Sequence, residues 1–346
     1  MFIDKKDSEE AFVIAEVGQN HQGSLDNAIE YIRIFAQQGA DAIKFQTRDN
    51  RYLFSQDAYE KEYNSENAFA KTYGEHREKL ELEPDALDIL ANECKKNNVY
   101  FMSTPFDEPS LELLIKKNVE ILKIASFDLG NIPFITKISE SGLPVVMSIG
   151  GGQIDQISSS VEVLRNHGVD LAILHCVSEY PCEYNRLGLG NIQSLIASFP
   201  DCAVGSSDHF NGTLSGPVAY MLGARVFEKH VTLNRAWAGT DHSFALEPAG
   251  FKNFVRDIKR VKDMMPEKPK DDLGNEFVFQ KLGKSIIANK TIKAGSLINS
   301  DDLSGRIFNE NFVPVRESNK VIGCTALTDI SQGEPVLFKN LKGSTS

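Results

Sequence analysis

The sequence is short of several things that would each have pointed to a function. It has no excess of positive charge: 37 Lys and Arg stand against 48 Asp and Glu, a formal net charge of −11. That balance argues against nucleic acid or an anionic membrane as the main partner, but leaves room for a small anion held by local basic residues. No apolar run approaches the roughly 18 residues of a membrane span. The opening MFIDKKDSEE lacks the apolar stretch of a secretion signal, so a cytoplasmic chain is expected. Cysteine is sparse and scattered. Cys94, Cys176, Cys182, Cys202 and Cys324 form no CxxC pair, which suits reduced, buried thiols better than a disulfide framework. There is no HExxH motif, and the one glycine pattern behind the first apolar run, GQNHQG, is weak as a dinucleotide-binding turn.

What is present is a regular alternation. Short β-branched or apolar runs fall at 12–18, 42–47, 99–106, 121–126, 144–150, 171–178, 203–209 and 225–232. Several are apolar throughout, as strands of a parallel sheet buried on both faces are. Amphipathic stretches fill the gaps. In the first, Leu25, Ala28, Ile29, Ile32, Phe35 and Ala36 form one stripe, with Ser24 placed to cap its start and Gly39 to end it. Others follow at 85–97, 109–118, 154–167, 187–199, 213–223 and 249–264. Eight strands alternating with helices over about 260 residues predict a (β/α)8 TIM barrel, with a doubly wound open sheet as the alternative.

Two segments break the rhythm. Residues 48–83 are too long for an ordinary connection, and a βα loop of a barrel lies on its catalytic face. This insert is expected to cover or shape a site. After the last helix the charged, proline-bearing MMPEKPKDDLGNE suits a linker. The expected domains are therefore a barrel over 1–265, a linker over 266–280 and a small β-rich domain over 281–346. Within the last, IKAGSLI and ISQGEPV read as two related hairpin turns, a degenerate internal repeat.

Polar residues track the strand ends: Glu16, Lys44 and Gln46, Thr104, Lys123 and Ser126, Ser148, Ser178, Ser207 with Asp208 and His209, then Glu228 and His230. Barrel enzymes hold their chemistry at this edge. A lone strand-end serine is more often a turn or cap residue. Lysines inside apolar runs demand an anion, because a buried unpaired ammonium is costly. An internal carboxylate could supply it; two lysines with several hydroxyls also suit a phosphate- or carboxylate-bearing ligand. His209 and His230 end neighbouring strands about 4.8 Å apart. They could share a divalent metal whose shell is completed by water or substrate, or be hydrogen-bonded core histidines.

Taken together, IAEVGQNHQG (14–23), GADAIKFQT (39–47), STPFDEPS (103–110), LKIASFDLGNIP (122–133), LHCVSEYP (174–181), GSSDH (205–209), MLGARVFEKH (221–230) and WAGTDHSFALEP (237–248) resemble the nonulosonate (sialic acid) synthase family over almost the whole barrel. GKSIIANKTIKAGSLINSDDL and VIGCTALTDISQGEPV resemble that family's antifreeze-like (SAF, β-clip) domain. The resemblance implies condensation of phosphoenolpyruvate with an N-acylmannosamine-type aldose and release of phosphate. It implies His209 and His230 as ligands of a divalent metal, Mn2+ first, with Mg2+ or Co2+ as other candidates. Lys44, Gln46, Thr104, Lys123, Ser126, Ser148, Ser178 and Ser207 would surround phosphoenolpyruvate. Glu16 would act at the reacting carbon, Asp128, Tyr180 and Asp241 would face the sugar, and Arg306 of the small domain would reach a partner's site in a domain-exchanged homodimer.

The sequence also departs from the family. Ser178 stands where an Asn is frequent, SIG (148–150) replaces STG, and SGRIFNENFVP (304–314) replaces a KRPGxG stretch. These departures bear on the sugar more than on the reaction. The candidates are N-acetylmannosamine, its 6-phosphate, or a diacetamido-dideoxy hexose leading to legionaminic or pseudaminic acid. The run KTYGEH resembles the animal-type enzymes that use the 6-phosphate. Two other readings are a related 3-deoxy-ketoacid synthase, which lacks the small C-terminal domain, and a binding protein built on a dead barrel.

Overall fold

A computed structural model describes residues 1–343. The chain divides into two compact units, Met1–Met265 and a second from Pro266 onward.

The first unit is a closed barrel of eight parallel strands in sequence order: β1 Phe12–Gly18, β2 Ala42–Thr47, β3 Tyr100–Pro105, β4 Ile121–Ile124, β5 Val145–Ser148, β6 Leu171–Cys176, β7 Ala203–Asp208 and β8 Val226–His230, with β1 paired to β8. The open doubly wound sheet is thereby excluded. Eight helices follow the strands: α1 Leu25–Gln37, α2 Pro84–Lys96, α3 Glu108–Lys116, α4 Ile132–Glu140, α5 Ile154–Asn166, α6 Asn191–Ser198, α7 Ser215–Met221 and α8 Pro248–Met264. Ser24 caps α1 as expected, its hydroxyl accepting from the Asn27 N–H. Helix α4 is additional to the helices expected from sequence. Its start is signalled by Asn131, whose side chain accepts from the Phe134 N–H, and by a proline in the first turn.

The alternation of strand side chains sorts the barrel into two layers. Outward residues such as Val13, Ile43, Phe101, Leu122 and Phe227 pack against the helices in the main core. Inward residues nearer the strand starts, Phe12, Ile14, Ala42, Met102, Ile121, Val146, Ala172, Leu174, Ala203 and Val226, form a separate apolar plug. A side chain at inward Gly205 would place its Cβ 2.0 Å from Val226 O, so only glycine permits this strand approach. Above the plug the inward positions turn polar, and there the site lies.

The insert between β2 and α2 holds three short helices, Asn50–Leu53, Gln56–Glu60 and Tyr73–Glu78. It reaches the loop after β8, where Asn67 Oδ1 accepts the Gly239 N–H at 2.8 Å.

In the second unit, Ser285–Ala288 pairs antiparallel with Leu303–Arg306, and Thr325–Ala326 with Leu341–Lys342. Its core comprises Ile286, Ile292, Ile298, Val321, Ile330, Val336 and neighbours. The two related turns are equivalent in space: Ser296 N–H donates to Lys293 O and Glu334 N–H to Ser331 O, with Gly295 and Gly333 at φ +82° and +85°. Ile292 and Ile330 then exchange a reciprocal pair of backbone hydrogen bonds at 2.9 Å. These small antiparallel pairs fit the antifreeze-like domain expected from sequence. The segment expected as a linker carries a helical turn at Lys270–Asp272 and the short helix Phe277–Leu282. No helix among the described residues is long and apolar enough to cross a membrane, and all five cysteines are buried and unpaired.

Candidate active site

The upper inward positions converge on one narrow cleft. Its lining gathers Glu16, Lys44, Gln46, Thr104, Lys123, Ser126, Ser148, Tyr180, Ser207, His209, Glu228 and His230, all singled out from sequence. Phe106, Ala125, Phe127 and Cys176 complete it. Four other expected residues are placed differently. Ser178 is exposed and lines a neighbouring cavity with Ile149 and Gly151, and Asp241 has Oδ2 3.9 Å from His230 Nδ1. Asp128 is half-buried on the turn after β4 and accepts the Asn131 amide at 3.0 Å. Arg306 belongs to the second unit, at the end of Leu303–Arg306.

The two lysines are buried but differently matched. Lys44 Nζ lies 2.8 Å from Glu16 Oε2 and 3.5 Å from Glu228 Oε1, and donates to Thr104 Oγ1 at 3.2 Å. The internal-carboxylate reading therefore holds for Lys44. Lys123 donates to Ser148 Oγ at 2.7 Å and Ile124 O at 3.0 Å, and among the described residues no carboxylate is in salt-bridge contact with it. Burial depresses the Lys123 ammonium below its ordinary range, against the pull of Glu228.

The carboxylates respond to the same fields. Burial, opposed by Lys44 and reinforced by the like charge of Glu228, pushes Glu16 up to about 7. Glu228 meets the same burial penalty, but Lys123 and Lys44 together overcome it and hold it down to about 2. Although Lys44 is closer to Glu16, both lysines favour Glu228, so the first proton goes to Glu16. Near pH 7 Glu228 is fully ionised and Glu16 about half so, beside Lys44 and Lys123. The hydroxyls of the cleft add neutral donors: Ser207 donates to Glu228 Oε1 at 3.1 Å, and the Gly150 N–H donates to Ser126 Oγ at 3.0 Å.

His209 and His230 stand side by side, ring centroids 5.2 Å apart. Tyr180 lies 3.9 Å from the His209 ring, and Phe244 lies beside both imidazoles. His209 Nδ1 is bonded to Val177 O at 2.8 Å, which assigns the proton to Nδ1 and leaves Nε2 as a lone-pair donor. Burial, with the neighbouring His230, holds His209 down to about 4, and burial lowers His230 as well. Both are neutral near pH 7, as metal ligands must be. His230 Nδ1 and Glu228 Oε2 are buried without a hydrogen-bond partner, an arrangement that calls for a further group in the cleft. Among the described residues no three His, Cys, Asp or Glu side chains cluster as a ready-made ligand set. Two neutral imidazoles with open coordination fit an exchangeable divalent ion rather than a closed structural one.

Arg48 was missed in sequence. It continues the inward face of β2 after Lys44 and Gln46, and that spacing could have found it. Its Nη2 donates to Gln46 Oε1 at 2.5 Å and its Nη1 to Glu81 Oε1 at 3.2 Å, with the guanidinium 3.8 Å over the Phe106 ring. Arg48 thereby fixes the Gln46 amide so that Nε2 donates to Glu16 Oε1 at 2.7 Å. Cys176 was likewise legible, two residues beyond inward Leu174.

Gly150 explains part of the SIG sequence. A Cβ there would lie 2.4 Å from Ser178 Oγ, 2.9 Å from Ser126 Oγ and 3.3 Å from Cys176 Sγ. Gly150→Ala is expected to push these groups into the cleft and raise the KM of the anionic substrate by about tenfold, equivalent to about 1.4 kcal/mol. The melting temperature should change little. Steady-state kinetics with a thermal melt checks this; an unchanged KM would reject the packing.

Fold and site together define a barrel enzyme with a cationic, hydroxyl-lined cleft and a pair of histidines open to a metal. A family model described as the NeuB family matches residues 31–270. Human N-acetylneuraminate-9-phosphate synthase is 32% identical over 327 residues, spanning 94% of this chain and 91% of that protein. The N,N'-diacetyllegionaminic acid synthase of Legionella pneumophila is 30% identical over 338 residues, spanning 96% and 94%. The crystal structure of N-acetylneuraminic acid synthetase from Leptospira borgpetersenii in complex with citrate is 30% identical with a TM-score of 0.68, covering 79% of this chain and 92% of that one. The chain belongs to the NeuB family.

Proposed function

We propose that the protein condenses phosphoenolpyruvate with an N-acylmannosamine-type aldose and water, giving a nonulosonic acid and phosphate. The observation that carries this is Lys123, a buried ammonium bonded, among the described residues, only to a serine hydroxyl and a backbone carbonyl at the wall of the cleft. Phosphoenolpyruvate brings about three negative charges, and two lysines among hydroxyls suit it. The relatives' names support the product class, and they span both a phosphorylated sugar acid and a diacetamido one.

In this reading Lys123, Ser126, Ser148 and Ser207 hold the phosphate and carboxylate, and Lys44 is fixed beside them by Glu16 and Glu228. The enol carbon C3 attacks the aldehyde carbon of the open-chain sugar, forming the C–C bond; the aldehyde oxygen takes the displaced electron pair and a proton from water to become a hydroxyl, and positive charge is left at C2. Water adds at C2 and Glu16 accepts its proton, a task suited to a carboxyl that titrates near 7. Collapse of the hemiketal phosphate breaks the C2–O bond and expels inorganic phosphate. A divalent ion held by His209 and His230, Mn2+ foremost, would supply Lewis-acid polarisation of the aldehyde oxygen. Asp241 and Tyr180 stand beside the histidines where the sugar would enter.

The test is phosphate release from phosphoenolpyruvate with Mn2+ across N-acetylmannosamine, its 6-phosphate and diacetamido-dideoxy hexoses. Release should depend on one of them. Release with none would overturn the proposal.

A further inference from the structure

Strand β8 carries a third titratable residue that the cleft does not use. Glu228 and His230 face inward, so Lys229 points outward into the layer between strands and helices. It is 1% exposed, and the Asp208 beside it, its register partner on β7, is 6% exposed. The Lys229 ammonium is ion-paired with Asp208 Oδ1 and donates to Phe210 O at 2.6 Å. The same Asp208 Oδ1 accepts the Phe210 N–H at 3.0 Å. The rings of Phe210 and Phe254 lie 5.6 and 5.8 Å from Nζ.

Asp208 and Phe210 are the residues on either side of His209, and Lys229 immediately precedes His230. One ammonium therefore ties both flanks of the first histidine to the shoulder of the second. Stability alone is a poor reason for it. A buried ion pair is often matched or exceeded by apolar residues of similar volume, and most outward positions of this barrel, Val13, Ile43, Phe101, Leu122 and Phe227 among them, are apolar, with neutral Thr47, Ser103 and Ser206 among the exceptions. What an apolar pair could not do is bond to both the Asp208 carboxylate and the Phe210 carbonyl and so fix the turn through His209.

We infer that Lys229 is a positioning residue, clamping Asp208 and Phe210 from outside the barrel wall so that His209 and His230 are held at the separation a shared divalent ion needs. The inference rests on the reading of these two histidines as metal ligands. Lys229 touches nothing in the cleft and acts only through the strand ends.

The test uses the full-length protein and Mn2+ alone, measured calorimetrically, on Lys229→Met, Asp208→Asn and the double variant. The double variant removes the pair without leaving a buried charge unmatched, and the introduced asparagine amide keeps an oxygen to accept the Phe210 N–H. Asp208→Asn barely changes volume and serves if either Lys229 variant fails to fold. Loss of an outer support typically weakens metal binding about 10- to 100-fold. That weakening is expected in every folded variant, with kcat lowered and the KM for phosphoenolpyruvate nearly unchanged. Wild-type Mn2+ affinity in the folded variants would overturn the clamp, provided His209→Ala abolishes binding. Unchanged binding in His209→Ala would overturn the metal reading itself, and the clamp with it.

Discussion

Alanine at either His209 or His230 is expected to cut turnover by about 10³-fold or more while leaving the barrel folded, as loss of several kcal/mol of charge stabilisation at a reacting oxygen would. Both rings stand at the open end of the barrel, above the apolar plug, so truncation removes donors rather than core. Both are neutral near pH 7 because burial opposes their charging. Chelation should therefore inactivate the wild-type protein, and added Mn2+ should restore it; neither alanine variant should respond. The His209 imidazole titrates at about 4, so metal affinity should hold through neutral pH and fall as the pH approaches that value. Wild-type turnover in both variants would reject the assignment.

Lys44→Met is expected to cost about 3–5 kcal/mol of stability at alkaline pH, the usual penalty for removing one partner of a buried ionic group. The loss should depend on pH, and its sign follows from the carboxylates. Glu16, with a folded value raised to about 7, contributes stability that is complete below its unfolded value and lost as the pH rises through 7. Glu228, held down to about 2, contributes stability that is present above its unfolded value and lost only as the pH falls through 2. Removing Lys44 raises both values, because its charge favours both ionised forms. At pH 8 the variant must either bury two carboxylates against Lys123 alone or hold a proton on Glu16 that the wild type has released, and it loses stability either way. At pH 5.5 Glu16 takes up a proton and part of the deficit disappears. Urea unfolding at the two pH values measures the difference, and an equal deficit at both would contradict the network. Turnover should fall as well, since Lys44 holds Glu16 in place.

Much of this was legible in the sequence because barrel strands are unusually explicit. Nearly all are short apolar runs with polar residues at their upper inward positions, β6 with Cys176 excepted, so alternation alone delivers Glu16, Lys44, Lys123, Ser148, Ser207 and Glu228 to one cleft. The ion pairing of Lys44 was not legible. It depends on β1, β2 and β8 being neighbours, which only closure of the sheet brings about. Helix α4 escaped notice because it begins inside the motif of site residues at 122–133. Arg48 was passed over because it opens the insert and was read as loop, although it keeps the strand's alternation by one more step. Lys229 was not singled out; its burial follows from the helix layer that covers β8.

The central claim is that water captures C2 and that the C2–O bond breaks. Phosphoenolpyruvate carrying a heavy-oxygen label in its bridging position, incubated with Mn2+ and the aldose that supports phosphate release, tests it most directly. The account predicts that the label leaves in inorganic phosphate while an oxygen from solvent appears at C2 of the sugar acid. Label retained at C2 of the product would mean that the phosphorus–oxygen bond breaks instead, and would contradict it.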